Sequence, residues 1–184
     1  MYKVAFWGHS LVPPEGAIQV EGCEIQTYRV PGAKTGDFRR HPLLRDILVW
    51  PHDLSIIYIG GNDITTNCNV TSIVQNIEGI VGTLERQCGS EVAIILVEPR
   101  VVRPNRRNGG LTQVRYNRIA QGINNRLKRR LRGHKFFHFG ARPYREHRLA
   151  DGVHPDEWAS DVICCRLGVF IEQKCKAFRR ELGL

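Results

Sequence analysis

Residues 54–63, LSIIYIGGND, decide the fold class. The first seven, Leu54–Gly60, are almost continuously apolar, which is typical of a strand that is covered on both faces in a parallel sheet. A glycine pair followed by Asn62 and Asp63 then predicts a turn. In open α/β sheets, ligands bind at the edge where the strands end. The search for a functional site therefore starts at the strand ends.

Four further segments read as strands, although the second alternates in part: Lys3–Trp7, Glu24–Val30, Glu91–Val97 and Lys135–Phe139. Apolar residues at helical spacing predict helices over Thr71–Gln87, Thr112–Leu131 and Trp158–Leu182, and a short helix within Asp37–Leu48 that Pro42 breaks early. Alternating strands and helices indicate right-handed βαβ units. We therefore predict an α/β fold, a flavodoxin-like three-layer α/β/α sandwich with a five-stranded parallel sheet, formed by residues 1–184 as a single domain.

Composition is that of an ordinary globular protein, with 42% hydrophobic and 24% charged residues among 184. No apolar run approaches the length of a membrane span, and the N-terminus does not resemble a signal peptide. We therefore expect an intracellular, cytoplasmic protein. Six cysteines show neither a CxxC pair nor a zinc-type spacing. They are predicted to be reduced, and no metal or other cofactor is expected.

Positive charge is concentrated in one segment, Arg100–Arg148. It contains 15 of the 27 basic residues but one of the 18 acidic residues, so its net charge is +14 while the rest of the chain carries −5. Such a segment is typical of a face that binds polyanions, and a solvated basic helix is the simpler alternative for any single run. Nucleic acid and anionic membrane surfaces are the candidate partners, although no known nucleic-acid-binding motif is present.

Four strand ends or loops carry polar residues and glycines. The first strand leads into GHSL (residues 8–11), the second into VPGAKTGD (30–37) and the third into GGND (60–63), while DGVHP (151–155) precedes the last helix. Each alone is ordinary turn chemistry. Their occurrence together, in this order, at the ends of one predicted sheet is much less common.

Together these blocks resemble the SGNH (GDSL-like) hydrolase family, whose four blocks contribute Ser, Gly, Asn and Asp-x-x-His. The resemblance spans Val4 to His154 and the closing helix, and YIGGND and DGVHP are its most specific parts. It implies a serine esterase. The short blocks are also similar to those of esterase domains in certain non-LTR retrotransposons and of some invertebrate SGNH-like domains.

The chemistry explains these residue types. A serine hydroxyl is a weak nucleophile and needs a base, for which His154 is the candidate, while Asp151 orients the imidazole of His154. The resemblance implies that the oxyanion donors are the backbone N–H groups of Ser10 and Gly32 and the side-chain amide of Asn62. Gly36 is an alternative to Gly32, because the sequence TGD also resembles the second block.

One departure is His9, which stands where the family usually has an aspartate that supports the active-site loops. The change leaves the predicted machinery intact, but it affects loop geometry and rate. His9 is not the expected base, because adjacent side chains on an extended segment point away from each other. Four other histidines in polar stretches are predicted to be solvated: His41, His52, His134 and His147.

The leading hypothesis is a serine esterase for short acyl or acetyl esters that uses Ser10, His154 and Asp151 without a metal. A second hypothesis is a catalytically weak module of the same fold that binds nucleic acid or an anionic surface through the basic segment. A third is an O-acyltransferase, which would share the acyl-enzyme intermediate. The substrate and the oligomeric state are not predicted by the sequence.

Overall fold

The computed structural model describes residues 1–38, 40–102, 110–139 and 146–183. Its five strands are β1 (Tyr2–Gly8), β2 (Cys23–Arg29), β3 (Leu54–Tyr58), β4 (Glu91–Ile95) and β5 (Lys135–Phe137). They form one sheet in the order β2-β1-β3-β4-β5, and every neighbouring pair is parallel. The helices are α1 (Pro42–Val49), α2 (Val70–Cys88), α3 (Gln113–Arg130) and α4 (Glu157–Glu181).

Apolar side chains cover the sheet on both faces, which explains the continuous apolar strands. One core joins alternate strand residues to α1, α2 and α3, and the other joins the remaining strand residues to α4 and to the segment between β1 and β2. These are the three layers of the predicted α/β/α sandwich, and the prediction is confirmed. The strands β3, β4 and β5 each end two residues earlier than predicted.

The prediction for the first helix was wrong in one respect. Pro42 does not break a helix that starts at Asp37; it occupies the first turn of α1. Proline is well suited to this position because the N–H that it lacks would have no partner within the helix, and its fixed φ already matches the helix.

A buried hydrogen-bonded cluster lies at the edge of the sheet where the strands begin. His52 is 5% exposed, so the prediction that it is solvated was wrong. Its Nδ1 contacts the Trp50 carbonyl oxygen at 2.7 Å and its Nε2 contacts Ser55 Oγ at 2.7 Å, while Ser90 Oγ lies 2.9 Å from Ser55 Oγ. A buried polar group must find such partners, and here they come from residues up to 35 positions apart.

Two other predictions concern the surface and the thiols. All six cysteines are free thiols, as predicted. Among the residues that the structure describes, no helix combines the length and the apolar character that crossing a membrane requires.

Part of the basic segment, including Arg103, Arg106, Arg107, Arg142 and Arg145, lies outside the described residues.

Candidate active site

Ser10 lies just beyond the carboxyl end of β1, in the turn that β3 fixes. Gly8 pairs with Tyr58, and the His9 backbone N–H donates to the Tyr58 carbonyl oxygen at 3.1 Å. A Cβ atom at Gly8 would lie 2.0 Å from that oxygen, so only glycine allows the two strands to approach this closely. The turn therefore brings Ser10 to the rim of the sheet at a defined position.

The structure brings the three predicted residues Ser10, His154 and Asp151 together. His154 Nε2 lies 3.0 Å from Ser10 Oγ, and His154 Nδ1 lies 2.5 Å from Asp151 Oδ2. Ser10 and His154 are 144 positions apart, so the contact depends on the fold alone. The side chains of His154 and Asp151 are 37% and 48% exposed, which leaves the group accessible to a substrate.

The hydrogen bonds fix the roles of the ring nitrogens. A carboxylate can only accept, so Nδ1 of His154 carries the proton and its Nε2 is free to accept the Ser10 hydroxyl proton. Burial on its own raises the pKa of Asp151, but hydrogen bonds from the His154 ring and from the backbone N–H groups of Val153 and His154 outweigh it and lower that pKa to about 2. Asp151 is therefore a carboxylate throughout the neutral range.

Two backbone hydrogen bonds within the loop that carries Asp151 and His154 fix its conformation. The Leu149 N–H donates to the His154 carbonyl oxygen at 2.9 Å, and the Gly152 N–H donates to the Leu149 carbonyl oxygen at 2.8 Å. Gly152 has a φ of +69°, and a Cβ atom there would lie 2.4 Å from Cβ of Val101. Glycine is required at this turn for both reasons.

Asn62 follows β3 in a short turn, and its amide group is held from both sides. Its Oδ1 accepts a hydrogen bond from Arg100 Nη1 at 3.1 Å, and its Nδ2 donates to the Ala33 carbonyl oxygen at 3.1 Å. Arg100 is held in turn, because its guanidinium lies over the ring of Tyr116 and its backbone N–H donates to the Asn117 side chain. No described residue accepts a hydrogen bond from the second N–H of the Asn62 amide, so this N–H can donate to a ligand.

The two candidate glycines of the second block lie on either side of Ala33, the residue whose carbonyl oxygen Asn62 contacts. Gly32 has an exposed backbone and a φ of +76°. Gly36 is in the short 3-10 turn Thr35–Asp37 and is also exposed. Both glycines therefore stay candidates for the second oxyanion donor.

His9 has a different environment from His154. It is 2% exposed, its Nδ1 accepts the backbone N–H of Leu11 at 3.2 Å, and its ring centre lies 4.8 Å from that of Tyr58. Burial, with the nearby Arg100 and His154, lowers the pKa of His9 to about 3. His9 is thus a neutral group that supports the turn after Ser10.

Two residues with a part in the site had no predicted role. Arg100 orients Asn62, and Asp63 accepts hydrogen bonds from the backbone N–H and the hydroxyl of Thr35, the latter at 2.6 Å. Burial raises the pKa of Asp63, although the bonds from Thr35 oppose it. Asp63 stands in the GGND block and Arg100 begins the basic segment, but their contacts cross 28 and 38 positions and have no local signal.

Two cavities flank the group. One has a volume of about 290 Å³ and is mostly apolar, and its lining includes Ser10, Leu11, Val12, Pro13, Pro14, Leu149, His154 and Ile163. The other, of about 500 Å³, is bounded by Lys34, Gly61, Asn62, Arg100, Tyr116 and Asp151 among others. Within the described ranges, no group of three or more His, Cys, Asp or Glu residues is arranged to hold a metal ion.

A parallel α/β sandwich with a hydrogen-bonded Ser–His–Asp group beyond its strand ends has the architecture of the SGNH-type hydrolases. The model of the GDSL-like lipase/acylhydrolase family matches residues 17–161, and the chain belongs to this family. The matched range includes Asn62, Asp151 and His154 but begins after Ser10. Family membership supports a hydrolase that acts on acyl esters.

Solved structures agree on the fold at low sequence identity. The lipase/acylhydrolase from Enterococcus faecalis is 16% identical, with a TM-score of 0.68 over 95% of this chain and 97% of that one. The inhibitor-bound aryl esterase from M. smegmatis is 16% identical, with a TM-score of 0.71 over 94% and 99%. A psychrotrophic esterase from a Pseudoalteromonas species is 15% identical, with a TM-score of 0.66 over 96% and 100%.

The comparison with curated protein sequences gave no match. The matches that were found give no support to an origin in a retrotransposon.

Proposed function

We propose that residues 1–184 form one catalytic domain, a serine esterase in which Ser10 is the nucleophile, His154 the general base and Asp151 the group that orients the imidazole. The observation that carries the proposal is the continuous hydrogen-bonded chain from Ser10 Oγ through the ring of His154 to Asp151 at the edge of an open cavity. The low pKa of Asp151 keeps a negative charge beside the imidazolium that forms when Ser10 loses its proton.

In the proposed reaction, His154 Nε2 takes the hydroxyl proton as Ser10 Oγ attacks the ester carbonyl carbon. The tetrahedral oxyanion accepts hydrogen bonds from the backbone N–H groups of Ser10 and of Gly32, for which Gly36 is the alternative, and from the free N–H of the Asn62 amide. His154 then protonates the leaving alcohol. It next takes a proton from the water that attacks the acyl carbon, and it returns this proton to Ser10 Oγ as the carboxylic acid leaves. Arg100 contributes by holding the Asn62 oxygen, so that the nitrogen does not rotate away.

The smaller cavity supports a short acyl group as the preferred acid part of the substrate. It lies beside Ser10 and His154, is mostly apolar, and at about 290 Å³ is at the lower end of the range for ligand pockets. Pro13 and Pro14 in its lining make the wall stiff. An acyl chain bound there would leave the alcohol part of the ester toward the larger cavity.

The test is hydrolysis of p-nitrophenyl acetate by the wild type, Ser10→Ala and His154→Ala. Both substitutions are expected to lower kcat/KM by about 10⁴-fold or more, because the nucleophile and its base act as one unit. Activity that survives both substitutions contradicts the proposal. Adding an alcohol acceptor and analysing the products separates hydrolysis from acyl transfer, because both pass through the same acyl-enzyme.

We propose a second function, binding of nucleic-acid phosphates, on an observation at the other edge of the sheet. Helix α3 carries six basic residues and no acidic residue. Because β5 begins five residues after α3 ends, the basic end of the helix lies at the edge opposite Ser10. Lys128, Arg129 and Arg132 are exposed there and form no hydrogen bond or ion pair with another described residue.

Binding of single-stranded RNA across a salt series tests this second function. Affinity is expected to fall steeply with salt. Replacing Lys128, Arg129 and Arg132 together by alanine is expected to weaken binding. It should also lower the slope of log K against log salt concentration by the amount that about three phosphate contacts contribute. Esterase activity should not change, because these residues are remote from Ser10. An absence of RNA binding at low salt, or binding to anionic vesicles alone, contradicts it.

A further inference from the structure

A buried ion pair lies directly behind the loop that carries Asp151 and His154. Glu98 follows β4 by three residues, and its side chain is 1% exposed. Arg148 precedes the loop, its side chain is 8% exposed, and its Nη2 donates to Glu98 Oε2. The two residues are 50 positions apart, so the pair ties the loop to the segment that follows β4.

The other amino group of Arg148 reaches across the loop. Arg148 Nη1 donates to the carbonyl oxygen of Val153 at 2.5 Å, and Val153 is the residue immediately before His154. The backbones of Arg148 and Pro155 also form an antiparallel bridge. A rigid guanidinium therefore spans the base of the turn, with one side on the segment that follows β4 and the other beside the candidate base.

A structural role alone explains this pair poorly. Removing two charges from water is costly, and a buried pair repays the cost only when its remaining atoms are also well hydrogen-bonded. Oε1 of Glu98 is buried and makes no hydrogen bond of good geometry with a described residue. Tyr58 is fully buried, and after burial itself the charge of Glu98 and a side-chain hydrogen bond with Glu98 raise the pKa of Tyr58. An apolar pair of the same volume would fill the space without the desolvation cost of two buried charges.

The loop needs an anchor of this kind. Asp151 and His154 are partly exposed, so side-chain packing does little to hold the imidazole 3.0 Å from Ser10 Oγ. Val101 contributes one further contact, a backbone hydrogen bond to the Gly152 carbonyl oxygen at 3.1 Å. The Leu149 N–H holds the His154 carbonyl oxygen within the loop, and the Arg148 guanidinium, which is paired with Glu98, holds the residue before it, Val153.

We propose that Glu98 and Arg148 are positioning residues for catalysis: they clamp the Asp151–His154 loop to the segment that follows β4 and so keep the imidazole within reach of Ser10. The proposal rests on the esterase mechanism above. Arg148 contacts a backbone carbonyl and Glu98 contacts Arg148, so both act through His154 rather than on the substrate. The clamp acts on the turnover step, because it fixes a catalytic group and leaves the walls of the apolar cavity in place.

The decisive variant is the double substitution Glu98→Met/Arg148→Met, which removes both charges and keeps the volume. Because neither charge is left unpaired, the thermal unfolding midpoint is expected to stay close to that of the wild type. The kcat for p-nitrophenyl acetate is expected to fall by about 10²-fold with little change in KM, since a displaced base impairs turnover rather than binding. Labelling of Ser10 by a fluorophosphonate should slow in parallel.

The matched control is Ser55→Ala, which disrupts the buried polar cluster at the opposite edge of the sheet. It should lower the unfolding midpoint and leave kcat unchanged, which separates stability from positioning. Arg148→Lys is the conservative variant. One ammonium cannot replace both arms of the guanidinium, so kcat should fall by about tenfold at a nearly unchanged unfolding midpoint.

The outcomes distinguish this proposal from the esterase mechanism on which it rests. If the folded double variant has the same kcat as the wild type, the proposed clamp is wrong. If the double variant does not fold, an unchanged kcat in Arg148→Lys leads to the same conclusion. A wild type that neither hydrolyses esters nor labels at Ser10 instead overturns the esterase mechanism itself. A loss of kcat that is confined to Glu98 and Arg148 variants, with Ser55→Ala unaffected, supports the clamp.

Discussion

The protein contains two hydrogen-bonded Ser–His pairs at opposite edges of one sheet. At the edge where the strands end, Ser10 contacts His154 at 3.0 Å, and at the edge where they begin, Ser55 contacts His52 at 2.7 Å. The contacts are similar, but the surroundings differ. His154 is partly exposed and its Nδ1 faces a carboxylate, whereas His52 is buried and its Nδ1 faces the Trp50 carbonyl oxygen.

The difference explains why we propose the Ser10 pair, and not the Ser55 pair, as the reactive one. An ester needs space beside the hydroxyl, donors for its oxyanion and a negative charge that steadies the imidazolium. The Ser10 pair lies on a cavity of about 290 Å³ and has Asp151 behind the ring. Ser55 is fully buried and is hydrogen-bonded to Ser90 as well. We therefore assign reactivity to the first pair and stability to the second.

The largest effect is expected from Asp151→Asn, which removes the charge behind His154 and keeps the shape. The asparagine amide favours the wrong tautomer of the imidazole, so kcat should fall by about 10⁴-fold. Steady-state hydrolysis of p-nitrophenyl acetate measures it. The control is Asp156→Asn, because Asp156 also contacts a histidine, His147 at 2.9 Å, and asparagine preserves its role as the N-cap of α4. A loss in Asp156→Asn as large as that in Asp151→Asn would contradict the assignment.

A smaller effect is expected from Asn62→Ala, which removes one oxyanion donor and leaves Ser10 and His154 in place. The loss in kcat should be about 10²–10³-fold. The same assay measures it, with Asn125→Ala on the exposed face of α3 as a neutral control. Full activity in Asn62→Ala would remove Asn62 from the oxyanion hole.

For the second pair, the expected effect falls on stability and not on rate. Ser55→Ala leaves Nε2 of His52 buried without its partner, which should lower the free energy of unfolding by about 1–3 kcal/mol. Chemical denaturation measures this loss. The substitution Ser10→Ala is the counterpart, and it should abolish activity with little change in stability because its site is partly solvated. If Ser55→Ala lowers kcat, the two edges are coupled and the comparison fails.

The smallest effect is a dependence of stability on pH that arises from the buried histidines. Burial lowers the pKa of His9 to about 3 and also lowers that of His52. Each is neutral in the folded protein and takes up a proton in the unfolded chain near pH 6.5, so its contribution is complete above that pH and is lost as the pH falls toward the folded value. For His9 the slope should approach about 1.4 kcal/mol per pH unit between the two pKa values, and His52 contributes in the same direction.

The variant His9→Asn checks the origin of this slope. Asparagine keeps an acceptor for the Leu11 N–H and does not titrate. The pH dependence of the unfolding free energy below pH 6 should therefore fall by the contribution of about one bound proton. Denaturation curves between pH 4 and 8 measure it. An unchanged slope would show that His9 is not the source.

The sequence was sufficient for those features that depend on local pattern. Apolar segments predict the five strands, and the rule that ligands bind at strand ends places Ser10 and His154 at one edge, where they lie 3.0 Å apart. Asp151 could be paired with His154 because the two are three positions apart on one loop. The family model independently matches most of this chain.

The failures concern contacts between distant residues. His52 lies in a polar stretch and was expected to be solvated, but its burial depends on Ser55 in β3 and on Ser90, which is brought close when β4 pairs with β3. The partner of Arg148 is 50 positions away, so nothing in its own neighbourhood marks it as part of a clamp. The choice between Gly32 and Gly36 also depends on the path of one loop, which a pattern of residue types does not determine.

Mass mapping of a fluorophosphonate adduct tests the central claim most directly, because the reagent reports the activated serine without knowledge of the substrate. If Ser10 is the nucleophile, one adduct is expected, on Ser10, which is lost in His154→Ala and retained in Ser55→Ala. An adduct on another serine, or an unlabelled Ser10 in protein that hydrolyses esters, would contradict it.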